Sequence, residues 1–398
     1  MRAIASPRAL AILGPPVALA ASWAVMTALW RGRQCCDVDL YDLYAQNLAH
    51  GLMPYRDFFF EYPPGALVPI ALAGWLSTGS DGFRIAFELL MVASLLATQA
   101  AVRRLAGTAA AWAMVGVPLV MGPLLRDRLD LFPVALMAGG LAVLCGALTR
   151  TRVTGAMMLL ALGTLTKVFP AVVALVVLAW LAGRGERRLA LTGLAALVTT
   201  AAIVAVPFAV LGGHGFLDGA AFQTRRPIQV ESAPAMVVRL VGGSVVTGVE
   251  GRSSQYRSAG IEGGSATLIA SVFAALQAAA ILACAAWAVA VGRRGAGTRA
   301  LAPVAVAGVL AFMAFGKVLS PQYLIWVAPL VGLLLTRRAW PAAVVLAVAA
   351  GVTHWLYPQH YVETVVGVNP GLAGTAARDG LLVLAFGLLL AGARTRRA

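Results

Sequence analysis

Residues 35–70 read CCDVDLYDLYAQNLAHGLMPYRDFFFEYPPGALVPI and concentrate acidic side chains in an otherwise apolar chain. Five of the 16 acidic residues lie in this stretch, namely Asp37, Asp39, Asp42, Asp57 and Glu61. Charged side chains close to a membrane are costly unless they have a partner or a function. The stretch therefore predicts a polar loop between membrane-embedded segments and a candidate functional site.

The composition of the whole chain indicates a membrane protein. Of 398 residues, 60% are hydrophobic and 12% are charged, whereas a soluble domain carries about 25% charged residues. The mean hydropathy is +0.85. Inside lipid only helices and closed barrels satisfy their backbone hydrogen bonds, and the sequence shows no alternating ten-residue strands. We therefore predict an all-α, polytopic transmembrane fold, with residues 1–398 forming a single integral-membrane domain.

The apolar runs predict about 12 transmembrane spans. Residues 63–78 are also apolar, but this run is short and begins with two prolines. We interpret it as a re-entrant or interfacial helix on the outer face. The predicted spans are 10–30, 83–102, 107–125, 130–149, 154–166, 168–183, 189–211, 264–291, 300–315, 320–336, 339–356 and 377–393.

The distribution of charge predicts that both termini are cytoplasmic. With the N-terminus inside, the cytoplasmic connections hold more than half of the 31 basic residues but only one of the 16 acidic residues, Glu186. This asymmetry follows the positive-inside rule. The net charge of +15 is therefore a topology signal and does not indicate a nucleic-acid partner. Two loops, 31–82 and 212–263, then lie outside a plasma membrane, where we expect the site.

The first outer loop, residues 31–82, contains the candidate general base. Asp39–His50 has the pattern of a short amphipathic helix at the membrane interface, with Asp39 as a plausible N-cap. Asp37 stands just before this helix, where the first span emerges from the membrane. We favour Asp37 as the functional carboxylate, whereas Asp39 could serve only as the helix cap.

A second group of charges follows in the same loop. The segment PYRDFFFEYPP brings Arg56, Asp57 and Glu61 back to the same membrane surface. A carboxylate and an arginine there could activate an acceptor hydroxyl and bind a phosphate. The same residues could equally form a local structural ion pair.

At these residues the sequence resembles the GT-C superfamily of polytopic glycosyltransferases. It is most similar to glycosyltransferase family 87, the polyprenyl-phosphate-mannose-dependent mannosyltransferases of actinobacteria. The pieces that carry the resemblance, in order along the chain, are the 37–66 segment, RLDLFP at 128–133, TKVFPA at 166–171, RRPIQVES at 225–232 and GKVLSPQYLIWVAPL at 316–330.

The resemblance implies transfer of a sugar, mannose by family likeness, from a polyprenyl-phosphate donor to a lipid-linked glycan or polysaccharide on the outer leaflet. The reaction would be inverting, with an acidic residue of the first outer loop as general base. By position that residue is Asp37, with Asp39 as the substitute. No metal or other cofactor is predicted, although Asp37-Val38-Asp39 would suit a hard divalent cation.

An inverting displacement also needs positive charge against the departing phosphate. Arg128 could bind this phosphate or simply pair with Asp130. The phosphate candidates are Arg56, Arg128, Lys167, Arg226 and Lys317. Other substrate-binding candidates, taken from the resembling motifs, are Asp57, Glu61, Tyr62, Asp130, Glu231, Gln322 and Tyr323.

Two alternatives stay open at the level of sequence. A lipid or small-molecule transporter or flippase would also contain broken spans and intramembrane lysines. The chain shows no convincing internal repeat, however, and its ionisable residues gather on one face. The long 212–263 loop could be a lid over the acceptor groove or only a flexible connection.

Overall fold

The structure, a computed structural model, describes residues 7–30, 37–242, 245–247, 258–335 and 339–394. Within these residues five helices are long and apolar enough to cross a membrane, and seven shorter apolar helices accompany them. The predicted all-α, polytopic architecture is therefore confirmed, while the number of spans stays a prediction. The predicted cytoplasmic ends include residues 1–6 and 395–398, which lie outside the described residues. Parts of the two outer loops, 31–36, 243–244 and 248–257, lie outside them too.

The helices follow the predicted spans closely. They are α1 (Pro7–Leu29), α2 (Asp37–Ala49), α3 (Leu67–Trp75), α4 (Gly79–Ala106), α5 (Thr108–Ala113), α6 (Val117–Met121), α7 (Leu124–Asp127), α8 (Leu131–Val143), α9 (Arg150–Thr166), α10 (Pro170–Gly183), α11 (Arg187–Gly212), α12 (His214–Arg225), α13 (Ala233–Val241), α14 (Ala266–Arg293), α15 (Thr298–Ala314), α16 (Trp340–Leu356), α17 (Tyr361–Val366) and α18 (Gly371–Arg394).

Two of the predicted spans are not continuous α-helices. The 107–125 run is divided into α5 and α6, and Pro118 lies in the first turn of α6. The 320–336 run forms two 3₁₀-helices, Pro321–Trp326 and Ala328–Leu334, each with a proline at its start. Proline lacks the backbone N–H that would continue a preceding helix, so it is favoured in the first turn of a new helix.

The first outer loop folds onto the helical bundle. Helix α2 begins at Asp37, so Asp39 lies in its first turn and is not the N-cap that the sequence predicted. Val38, Tyr41 and Tyr44 are buried on one face of α2, as the amphipathic pattern requires. Helix α3 has nine residues, about 14 Å of length, and is too short to cross a bilayer, which agrees with a re-entrant or interfacial helix.

Glycine residues of α11 and α12 allow this loop to pack closely against the two helices. Tyr55 adopts a left-handed backbone conformation with φ of 68°. A Cβ added to Gly215 would lie 1.8 Å from the Tyr55 carbonyl oxygen, so only glycine fits there. The Tyr55 hydroxyl donates to the carbonyl oxygen of Tyr62 at 2.6 Å. The loop is thereby fixed next to the residues that form the candidate site.

The described part of the 212–263 loop is structured, and we call it the lid. It contains α12, α13 and the strands β1 (Ile228–Gln229), β2 (Val245–Thr247) and β3 (Gly260–Glu262). The antiparallel sheet has the order β1-β3-β2, with Ile228 opposite Ile261. These two side chains pack in a small core with Val230 and Val238. The lid is therefore more than a flexible connection.

Three arginine-containing connections meet at one end of the bundle. Arg152 Nη1 donates to the Cys145 carbonyl at 2.9 Å, and Arg184 Nη1 donates to that of Gly295 at 2.8 Å. Thr298 Oγ1 donates to the Leu144 carbonyl at 3.0 Å. These contacts gather the 144–152, 183–188 and 292–299 connections at what we call the arginine-rich end.

Candidate active site

A cavity of about 1180 Å³ lies at the opposite end of the bundle. Helix α10 shows the relation, because it begins beside the cavity-lining Phe169 and ends at Gly183 in the arginine-rich end. The walls come from the first outer loop, the α9–α10 connection, the lid and the segment after α15. Ten of the predicted site residues line it: Asp37, Glu61, Tyr62, Arg128, Lys167, Arg226, Glu231, Lys317, Gln322 and Tyr323.

The candidate base forms an ion pair on the cavity wall. Asp37 Oδ2 contacts Nη1 of Arg128, which lies in extended backbone between α7 and α8. Both side chains are mostly buried, with 20% and 10% exposure respectively. The Tyr41 hydroxyl lies 3.5 Å from Asp37 Oδ2 and 3.4 Å from the Tyr62 hydroxyl. Arg128 therefore contacts Asp37.

Asp130 instead holds Lys167. The Lys167 ammonium donates to both carboxylate oxygens of Asp130 at 2.8 Å, and Trp326 Nε1 donates to Oδ1 at 2.6 Å. Asp130 precedes α8 and is fully buried, whereas Lys167 lies in the break between α9 and α10. A buried ion pair offsets the cost of its desolvation only when its geometry is good and further hydrogen bonds satisfy the remaining polar atoms. Asp130 therefore supports the cavity wall from behind and fixes Lys167.

An aromatic stack continues this wall. The Trp326 ring stacks on Phe169 with centroids 4.3 Å apart and on Tyr323 at 3.9 Å. Lys167 Nζ also lies 5.8 Å from the centroid of the Tyr62 ring. The sequence did not single out Trp326 or Phe169. Trp326 follows Tyr323 by three residues in a 3₁₀-helix, where side chains at this spacing lie above one another.

The lid contributes the other charged wall. Lys317 Nζ donates to the carbonyls of Thr224 at 2.8 Å and Arg226 at 2.7 Å, which ties the segment after α15 to the lid. Burial, together with the Arg226 guanidinium, lowers the pKa of Lys317. Arg226 Nη1 donates to Gln223 at 3.1 Å, and its other terminal nitrogen donates to Ser258 at 2.5 Å.

Glu231 lies on the same wall and is almost completely buried. Gln229 Nε2 donates to its Oε2 at 2.7 Å. Burial raises the pKa of Glu231 to about 7, although the Arg378 guanidinium and the Gln229 hydrogen bond oppose the shift. The sequence missed Gln229, which ends β1 and is followed by a turn that carries Glu231 and is closed by the hydrogen bond from the Ser232 N–H to the Gln229 carbonyl.

Three predicted residues lie away from the cavity wall. Asp39 forms an ion pair with Arg84 of α4, and the Asp39 side chain is 69% exposed. Arg56 and Asp57 pair with each other at 2.8 Å on the surface. The Arg56 hydrogen bond and that of the Met53 N–H lower the pKa of Asp57 to about 2.

The Asp37-Val38-Asp39 pair does not converge on one point. Residues two apart on a helix face different directions. Asp37 contacts Arg128, whereas Asp39 contacts Arg84. Among the residues that the structure describes, no three His, Cys, Asp or Glu side chains form a group that could hold a metal ion. The cationic side chains among the predicted residues that line the cavity are Arg128, Lys167, Arg226 and Lys317.

The fold defines the class as a polytopic, all-α membrane protein. The structure is similar to the crystal structure of ArnT from Cupriavidus metallidurans bound to undecaprenyl phosphate, with a TM-score of 0.50. The two share 17% sequence identity over 96% of this chain and 76% of that chain.

The family model of glycosyltransferase family 87 matches residues 59–321, about two thirds of the chain, and the chain belongs to that family. No curated protein sequence matches the chain significantly. The matched range includes Arg128, Lys167 and Glu231 but begins after Asp37. Membership confirms the predicted glycosyltransferase class over the transporter alternative, whereas the base assignment stays a prediction.

Proposed function

We propose that the protein transfers mannose from a polyprenyl-phosphate-linked donor to a glycan or glycolipid acceptor at the outer face of the plasma membrane. The observation that supports this most directly is the cavity wall that carries the Asp37–Arg128 ion pair beside Lys167. One carboxylate and two cations meet the needs of an inverting transfer from a sugar phosphate. The structurally similar ArnT, which was crystallised with undecaprenyl phosphate, supports a lipid phosphate as the leaving group.

The chemistry assigns a role to each of these groups. The acceptor hydroxyl oxygen forms a bond to the anomeric carbon, and the bond from that carbon to the phosphate oxygen breaks. The electron pair of the broken bond leaves with polyprenyl phosphate, while Asp37 takes the hydroxyl proton. Arg128 and Lys167 stabilise the charge that develops on the phosphate.

The ion pair suggests how donor binding prepares the base. Arg128 compensates the charge of Asp37. A donor phosphate competes for the same guanidinium, because arginine binds phosphate in the same forked geometry as carboxylate. Donor binding would thus weaken the ion pair and leave the Asp37 carboxylate available to the acceptor.

The separation of the cavity from the arginine-rich end supports an outer location of the cavity. If the positive-inside rule holds, that end is cytoplasmic and the cavity faces outward. We expect an impermeant thiol reagent to label Leu52→Cys in intact cells and Arg150→Cys only after permeabilisation, in a chain without its four native cysteines. The reverse pattern would place the cavity on the cytoplasmic side.

The direct test uses membranes that contain the wild-type protein and polyprenyl-phosphate donors of radiolabelled mannose, arabinose or glucose. We expect label to move from the mannose donor into a new product, with one polyprenyl phosphate released per sugar and inverted anomeric configuration. Membranes without the protein provide the background. Transfer from a different donor would correct the sugar, and no transfer from any of the three would contradict the proposed reaction.

A further inference from the structure

The lid side of the cavity carries a hydrogen-bonded group that the transfer chemistry above does not use. We call Gln229, Glu231 and Ser320 the Gln229 cluster, and all three residues line the cavity. Gln229 and Glu231 belong to the lid, whereas Ser320 belongs to the segment after α15. The cluster therefore bridges two separate parts of the cavity wall.

The Glu231 carboxylate orients the Gln229 amide. Gln229 Nε2 lies 2.7 Å from Glu231 Oε2 and 2.7 Å from Ser320 Oγ. At pH values above about 7, where Glu231 is ionised, its carboxylate only accepts hydrogen bonds, so the NH₂ group then faces it. Both amide hydrogens are then used, and neither of these two hydrogen bonds involves the amide oxygen.

This orientation leaves Gln229 Oε1 buried and without a hydrogen-bond partner among the described residues, in a residue that is only 2% exposed. Buried polar atoms are nearly always paired, so an orphan acceptor beside a cavity indicates a missing donor. The strand cannot easily move to relieve it. The Gln229 N–H donates to the Lys317 carbonyl at 2.9 Å, and Ser232 Oγ donates to the Gln229 carbonyl at 2.8 Å.

A buried arginine also holds the backbone of Glu231 in place. Arg378 of α18 donates through Nη2 to the Glu231 carbonyl and through Nε to Asp379 Oδ1 at 2.9 Å. Arg378 is fully buried. We regard it as a positioning residue, because a side chain with this many fixed partners holds the backbone of the cluster in place.

The two walls of the cavity complement the two halves of a sugar phosphate. Arg128 and Lys167 offer cations, whereas the Gln229 cluster offers mainly acceptors, which match the hydroxyl hydrogens of a pyranose. Arg128 also lies within electrostatic reach of Glu231. Both walls line the same cavity, in which the proposed donor would bind.

We propose that the Gln229 cluster binds hydroxyl groups of the donor sugar and that Gln229 Oε1 accepts a hydrogen bond from one of them. This inference rests on the proposed function, because it takes the donor to be a sugar phosphate. It adds a specificity-determining contact that is separate from the base and from the phosphate-binding cations.

The test combines changes in the protein with changes in the donor. Wild type, Gln229→Met and the exposed control Gln46→Met are assayed in lipid nanodiscs with polyprenyl-phosphate-mannose and its 2-, 3-, 4- and 6-deoxy analogues. In the wild type, one deoxy donor should lose about tenfold or more in kcat/KM, since a buried acceptor is then left unpaired. In Gln229→Met the parent and that deoxy donor should be equivalent, while Gln46→Met keeps the wild-type pattern.

Binding of polyprenyl phosphate, which has no sugar, shows whether the variant is folded. Gln229→Met should bind it as the wild type does, and Ser320→Ala should show a weaker version of the same selectivity loss. Equal losses with the parent and every deoxy donor, or an unchanged deoxy pattern, overturn the inference while the proposed function survives. Wild-type protein that neither binds polyprenyl phosphate nor transfers mannose overturns both.

Discussion

Asp37 and Glu231 are both carboxylates on the wall of one cavity, but their surroundings differ. Asp37 begins α2, where the helix dipole favours an anion, and the Arg128 guanidinium compensates its charge. Glu231 is more deeply buried and forms no ion pair among the salt bridges of the described residues. It accepts a hydrogen bond from a neutral amide. The difference supports the separate tasks proposed above, proton transfer for Asp37 and sugar recognition for Glu231.

The largest effect is expected from Asp37→Asn, which removes the proton acceptor but preserves the shape. General acid–base groups contribute roughly 10²–10⁴-fold to the rate, so kcat should fall by about that factor. The donor KM should not rise, because the Asp37 carboxylate no longer competes with the phosphate for Arg128. Initial rates at saturating donor measure the fall, and Asp42→Asn on the same helix is the matched control. A larger loss in Asp39→Asn than in Asp37→Asn would move the base to Asp39.

Asp130→Asn should mainly lower stability. Removing one partner of a buried ion pair costs about 3–5 kcal/mol, because the Lys167 ammonium would stay buried beside a neutral group. Thermal unfolding in detergent should show a marked drop relative to wild type. Adding Lys167→Met to Asp130→Asn should recover part of the loss, and a double variant that is less stable still would contradict this account of the pair.

The raised pKa of Glu231 predicts how the stability of the protein depends on pH. Its folded pKa of about 7 lies above the ordinary value of 4.5, so the folded protein keeps a proton that the unfolded chain releases. The free energy of unfolding should therefore decrease as pH rises from about 4.5 to about 7 and then level off, by at most about 3 kcal/mol. Thermal unfolding of wild type and Glu231→Gln across this range checks it. Equal pH dependence in both proteins would show that Glu231 has no raised pKa.

The smallest effect is expected from Arg56→Ala and Asp57→Ala. Both residues lie on the surface of the first outer loop and contact each other, and surface substitutions usually change little. Transfer rates should stay within about twofold of wild type. A tenfold increase in donor KM for Arg56→Ala would mean that this part of the loop closes over the donor phosphate after all.

Much of the architecture could be predicted because it depends on local composition. The apolar runs anticipated the helices, including the short segment that became α3, since a helix satisfies its own backbone wherever lipid surrounds it. The exceptions have a local cause that is present in the sequence. Prolines 118, 321 and 329 divide two predicted spans into shorter helices.

Some side chains of the candidate site could likewise be predicted from the sequence, whereas others could not. Asp37, Arg128, Lys167 and Glu231 could be selected because charged residues are rare in an apolar chain. Gln229, Ser320 and Trp326 could not, since neutral polar and aromatic residues are common in loops and near interfaces. Only their contacts across the cavity wall distinguish them.

The sequence by itself determined the helical membrane class, the asymmetry of positive charge and the enrichment of acids in the first outer loop. The tertiary structure alone decided which charges meet. Arg128 pairs with Asp37 although Asp130 is two residues away, and Lys167 crosses between helices to reach Asp130. The physical reason is that ion pairs and hydrogen bonds act over a few ångströms. Their partners are chosen by how distant segments pack, which spacing along the chain does not specify.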